Sequence, residues 1–175
     1  MSKEIDSTVE VMQSYLRERF ISPEVLEKAK HRVDKLKDFY SRLAKIHQDF
    51  PKYYYKYHDI WSSERRKTVS ALAFLHWLET KNLLMHEEVE MKLRLDIKIG
   101  DYLEGICLMS RELPRYVENQ VNAGDYDCSR MMNFLKELNE AFQEVDETQF
   151  DCIRDDLGRV ERISFDAKHR SSQMV

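Results

Sequence analysis

The sequence predicts an all-α protein, a single-domain antiparallel bundle of about six or seven helices. Three observations predict it. The 175 residues include only four glycines and three prolines, which leaves few turn signals and hence few, short connections. Charged residues make up 34% of the chain, a proportion suited to solvated helix faces. Apolar residues recur at three- and four-residue steps through most of the chain, the period of a helix with one buried face.

Each element follows in order. Ile5, Val9, Met12 and Leu16 mark a first short helix. Ser22-Pro23 opens a second, with serine as the cap and proline in the first turn. Leu26, Ala29, Val33, Leu36, Tyr40 and Leu43 form its seam, and Lys28, Lys30, Arg32, Lys35, Lys37, Arg42 and Lys45 occupy its other faces. Those cations read either as a solvated face or as a basic wall along a phosphate backbone. Pro51 stops this helix, because the residue before proline avoids the α region. Residues 69–78 are apolar nearly all round and predict the most buried helix. His76 within it reads as a hydrogen-bonded core residue rather than a ligand. A shorter helix spans about residues 86–94.

Residues 100–126 read as one long element. Asp101 is placed to cap its start, and Leu103, Ile106, Met109, Leu113 and Val117 give its buried stripe. Gly124 stands where a left-handed closing residue is expected. Pro114 removes the hydrogen bond to the Ser110 carbonyl, which predicts a kink or a division. Residues 128–145 form the next helix, around Met131, Leu135, Leu138 and Phe142. A last helix carries Phe150, Ile153, Leu157, Val160 and Ser164 in heptad steps, and residues 171–175 are expected to fray.

The net charge of −4 does not advertise nucleic-acid binding by the whole molecule, so local clusters carry the argument. One stands out in residues 52–69. Lys52, Lys56, His58, Arg65, Arg66 and Lys67 are interleaved there with Tyr53, Tyr54, Tyr55, Tyr57 and Trp61. Cations hold phosphates and aromatic faces stack on unpaired bases, the combination that a single strand needs. The same residues also read as core aromatics beside surface charge.

Other chemistry is sparse. No GxxxxGK[ST] loop, HExxH, GxSxG or Cys/His metal spacing occurs. Glu87, Glu88 and Glu90 read as solvated, as do Asp151, Asp155 and Asp156. Glu112 is the one carboxylate near a buried stripe, and alone it makes no catalytic site. The three cysteines lack CxxC spacing, which points to free thiols in a reducing compartment. The first residues lack a signal-peptide core, and the apolar run 71–78 is far short of a membrane span. The expectation is a cytoplasmic protein, with the nucleus as a second location and no membrane association.

Several segments, in order, resemble the translin/Trax family. DYLxGxxxxSxEL followed by NxVxAGDY, within residues 101–126, is similar to the family's central helix. YYKYHDIW (54–61), the run from Lys67 ending in WLETKNLL (77–84), and residues 150–170 resemble further family segments. The resemblance covers roughly residues 51–170 and, more faintly, 22–50; against it, residues 1–21 look like a truncated N-terminal helix. It implies a helical fold that assembles into hollow oligomers enclosing single-stranded RNA or DNA. Lys56, His58, Arg65, Arg66 and Lys67 would contact phosphates, with Tyr54 and Trp61 supporting or stacking. Ile60 stands where the family has a second histidine, and Ser62 where it has an arginine.

The resemblance also bears on catalysis. The Trax-type endoribonuclease subunit, linked to small-RNA and tRNA processing, uses four carboxylates and Mg²⁺. Three of those positions hold Lys67, Ser70 and Leu108 here, and only Glu112 remains. The expectation is therefore a binding subunit, no enzyme on its own and without a cofactor, that forms a homo-oligomer or joins a Trax-like partner subunit. The alternatives are a metal-dependent ribonuclease subunit with rearranged carboxylates and a non-binding assembly scaffold.

Overall fold

A computed structural model describes residues 2–52, 61–124, 126–145 and 150–173. Every regular element among them is an α-helix, as expected. We number them α1 (Ser2–Leu16), α2 (Pro23–Asp49), α3 (Ser62–Thr80), α4 (His86–Leu93), α5 (Ile99–Ser110), α6 (Leu113–Ala123), α7 (Ser129–Val145) and α8 (Asp151–Gln173). The chain forms two compact units, Met1–Leu108 and Met109–Val175.

In the first unit α1 packs along α2 and α3, and α2 packs on α3 and α4. Ile5, Val9, Met12 and Leu16 of α1 are all buried, so its 3-4 stripe is the face that docks. The core runs through α3, where Thr68–Leu75 and Trp77 are buried on every side. Thr68 Oγ1 donates to the Glu64 carbonyl, so Tyr40 Oη, 2.9 Å from that oxygen, is the donor between α2 and α3. His76 lies at the edge of this core rather than inside it, half-buried beside Lys30 and Lys37.

The α2 seam is rotated from the expected one. Val25, Ala29, Leu36, Tyr40 and Leu43 are buried, while Leu26 and Val33 are half-buried. A helix packed against neighbours on more than one side buries a wider arc than a two-stranded seam. Ser22 caps α2 as predicted, its Oγ accepting from the Val25 N–H at 3.3 Å. Ser22→Ala should cost about 0.5–2 kcal/mol of unfolding free energy, measured by urea titration, with Ser22→Asp retaining most of it.

The left-handed helix ends are not where the glycines are. Lys81 and Arg94 close α3 and α4 with φ of 63° and 52°. Gly124 is extended, with φ 161°, so the expected left-handed closure there is overturned. After α4, His86 Nε2 donates to the Ile97 carbonyl at 2.7 Å, and the Ile97 N–H donates to Glu90 Oε1 at 2.9 Å. Tyr102 Oη donates to the Leu84 carbonyl at 2.9 Å, and burial pushes that phenol up to about 12.

In the second unit α6 and α7 both pack on α8. The expected long element around Pro114 is divided, as proline requires: α5 ends at Ser110 and α6 starts at Leu113 with Pro114 in its first turn. Met131, Leu135, Leu138 and Phe142 form the α7 stripe, and Phe142 meets Phe150 edge-on at 5.1 Å. On α8 the buried side carries Ile153, Asp156, Val160 and Ser164, with Leu157 only half-buried. Asp156 is thus not on the exposed face. Burial raises its carboxyl above the usual range, against a hydrogen bond from Ser110 Oγ at 2.9 Å and the charge of Arg159. Helix α8 continues to Gln173, into the stretch expected to fray.

Candidate nucleic-acid interface

Of the expected nucleic-acid-binding set, the phosphate-contacting Lys56 and His58 and the stacking Tyr54 lie outside the described residues. Trp61 is half-buried at the position preceding α3. The next cations, on the first turns of α3, are held by carboxylates from other helices. Arg65 is 1% exposed, and its Nε lies 2.6 Å from Oδ2 of Asp101, itself 4% exposed. Ser62 Oγ and Arg66 Nε, the latter at 3.2 Å, donate to the other Asp101 oxygen. Asp101 therefore does not cap α5; it is the buried acceptor that ties α5 to α3. Burial works to raise its carboxyl, but the hydrogen bonds from Ser62 and Arg65 and the Arg65 charge outweigh this and hold it below the usual range.

Arg65 consequently leaves the phosphate-contacting set. A guanidinium buried against its counter-ion presents no face to a ligand, and exposing it would strand Asp101. Arg66 and Lys67 are different. Arg66 Nη1 pairs with Glu104 at 2.6 Å and Lys67 Nζ with Asp6 at 2.6 Å, with each partner about one third exposed. The hydrogen bond to Asp6 holds the Lys67 ammonium above its ordinary value. Pairs this exposed are worth ~0–1 kcal/mol, so a phosphate can compete for either cation.

Helix α2 presents the contrasting case. Lys30 bridges Glu27 and Glu79 at 2.8 and 2.6 Å, and Lys37 pairs with Asp34 at 3.1 Å. Lys28, Arg32 and Lys35 have no carboxylate partner among the described residues. The Arg42 guanidinium sits 6.0 Å from the centre of the Phe39 ring. At 3.6 residues per turn, Lys28, Arg32, Lys35, Phe39 and Arg42 fall within an arc of about 80° on one flank of α2. The stripe is about 21 Å long at ~1.5 Å per residue. An uncompensated row of cations with an aromatic ring can follow a phosphate backbone and offer a face to a base. These cations are visible on α2 from the sequence, but their pairing is not.

Residues expected to matter for catalysis are placed as follows. Ser70 is buried within α3, and Leu108 is half-buried in α5. Glu112 precedes α6 and pairs with Arg115 three residues on. Among the described residues no group of three or more His, Cys, Asp or Glu side chains converges as a metal site would require.

Known proteins share this sequence pattern. A family model described as the translin family matches residues 1–171. Translin from Homo sapiens is 27% identical over 146 residues, covering 74% of this chain and 64% of that protein, and translin from Mus musculus gives the same values. Translin from Gallus gallus is 28% identical over 132 residues, covering 67% of this chain and 58% of that protein. The chain matches less than two thirds of the length of these curated relatives.

Proposed function

The chain belongs to the translin family, and on that premise we propose that it is a single-stranded RNA- or DNA-binding subunit that assembles with further subunits. The observation that carries the reading is the row of Lys28, Arg32, Lys35 and Arg42 on one flank of α2, in a chain whose net charge is −4. Those four cations are the principal phosphate contacts. Arg66 and Lys67 join when phosphate displaces Glu104 and Asp6. Lys56, His58, Tyr54 and Trp61 remain part of the proposed surface on the strength of the family resemblance. The partner in assembly is a second copy of this chain or a Trax-like subunit, and any Mg²⁺-dependent cleavage belongs to that partner, because Lys67, Ser70 and Leu108 replace three of the four carboxylates.

Fluorescence anisotropy with a labelled single-stranded RNA at increasing salt tests the binding. Each phosphate contacted on a single strand contributes about −0.7 to the slope of log K against log salt, so the four α2 contacts supply about −3 of it. Replacing Lys28, Arg32, Lys35 and Arg42 by glutamine should remove that share and leave only the shallower dependence due to the remaining cations. Binding that ignores salt, or that these substitutions leave unchanged, overturns the α2 assignment. Light-scattering mass with and without the RNA tests assembly; a particle that takes up no RNA even at low salt makes the chain an assembly scaffold.

A further inference from the structure

The cationic stripe on α2 runs, at its N-terminal end, into an open cleft of about 590 Å³ between the end of α1 and the start of α2. Tyr15 and Pro23 wall it with His31, and its surface is mostly apolar. Lys28 and Arg32, the first two cations of the stripe, also line it, together with Glu24 and with Glu27, which is paired with Lys30. Tyr15 is half-buried and His31 exposed, so an aromatic ring from each helix is available to a ligand. The connection between the two helices adds an exposed aromatic, Phe20, which is 63% exposed with the Arg19 guanidinium 5.6 Å from its ring centre.

From this juxtaposition we propose that the cleft is a base-binding subsite, in which an unpaired nucleobase of a single-stranded nucleic acid stacks on Tyr15 and His31. The inference rests on the nucleic-acid-binding reading and names a part of it that phosphate contacts do not supply. The cation row that leads into the cleft selects this occupant. A strand whose phosphates follow Lys35, Arg32 and Lys28 reaches the cleft with a base free to turn into it, and its phosphate stays on the cationic rim. A mostly apolar surface that carries a tyrosine and a histidine ring matches a π-face, and every base has one. Among the described residues Glu24 is the one unpaired carboxylate in the lining, and it accepts from an exocyclic amino group.

The test compares a single-stranded RNA with a strand of the same length carrying abasic positions, so that phosphate number is constant. Wild-type protein should bind the base-bearing strand at least roughly tenfold more tightly, as base stacking supplies. Tyr15→Ala should lose roughly tenfold of that advantage, the share of one aromatic–base stack, and keep the salt slope, while Tyr15→Phe should keep both. Tyr15→Phe also controls for folding. If wild type binds with the expected salt slope but Tyr15→Ala matches it on both strands, the cleft assignment falls and the phosphate-binding reading stands. The same conclusion follows if Tyr15→Ala weakens both strands equally. If wild type binds neither strand at low salt, the binding reading itself fails and the subsite with it.

Discussion

Asp101→Ala is expected to lower the free energy of unfolding by about 3–5 kcal/mol, the cost of removing one partner of a buried ion pair. The substitution leaves the Arg65 guanidinium in a place where it is 1% exposed. It also takes the acceptor away from Ser62 and Arg66 at once. The loss therefore comes from stranded donors as much as from the missing attraction. Replacing both members by apolar residues of similar volume, Arg65→Met with Asp101→Leu, should recover most of the loss, because neither charge then needs its partner. Urea unfolding at neutral pH measures both. The pH dependence has a definite sign. The folded carboxyl lies below the ordinary value of 3.8, so its contribution is complete above that value and is lost as pH falls through the lower folded value. The gap between wild type and Asp101→Ala should accordingly narrow in acid. A gap that is constant with pH, or a double variant as unstable as Asp101→Ala, contradicts the pair as described.

Gly105→Val is expected to cost about 3 kcal/mol, at the upper end for overpacking a well-filled core. A Cβ at residue 105 would lie 2.6 Å from both Cβ and Cγ1 of Val69 and 3.0 Å from the Arg66 carbonyl oxygen. Relief requires α5 and α3 to separate, since two of those contacts are to a Cβ and a main-chain atom that no rotamer change can move. Separation would in turn stretch the Asp101–Arg65 pair one turn away. Gly105→Ala should cost less, because alanine's better helix propensity offsets ~1 kcal/mol of the clash. Gly158→Ala is the control: it has open space around its Cβ position and should be neutral or slightly stabilising. Thermal melts of the three variants decide whether close approach at residue 105 is the cause.

Much of the fold is legible in the sequence. The 3-4 spacing of Ile5, Val9, Met12 and Leu16 names the docking face of α1, and the apolar run around Val69 names the innermost helix. Pro114 marks the division between α5 and α6 because a missing N–H acts within its own turn. The candidate site is legible only in part. Its cation-rich helix can be found, but Arg65, Arg66 and Lys67 read as a basic cluster although each meets a carboxylate from another helix. Asp101 reads as a cap because a carboxylate near a helix start usually serves that end. Nothing local distinguishes it from one that reaches a neighbouring helix.

The division has a physical basis. Helix positions, their proline breaks and the Ser22 cap depend on residues within a turn or two of each other, so they can be read from the order of residues along the chain. Which charges are neutralised depends on which helices are neighbours and how each is rotated about its axis. Asp101 and Arg65 are 36 residues apart, and Asp6 and Lys67 are 61 apart. Only the tertiary structure brings those side chains together, and so only it separates the cation row of α2 from the paired cations of α3.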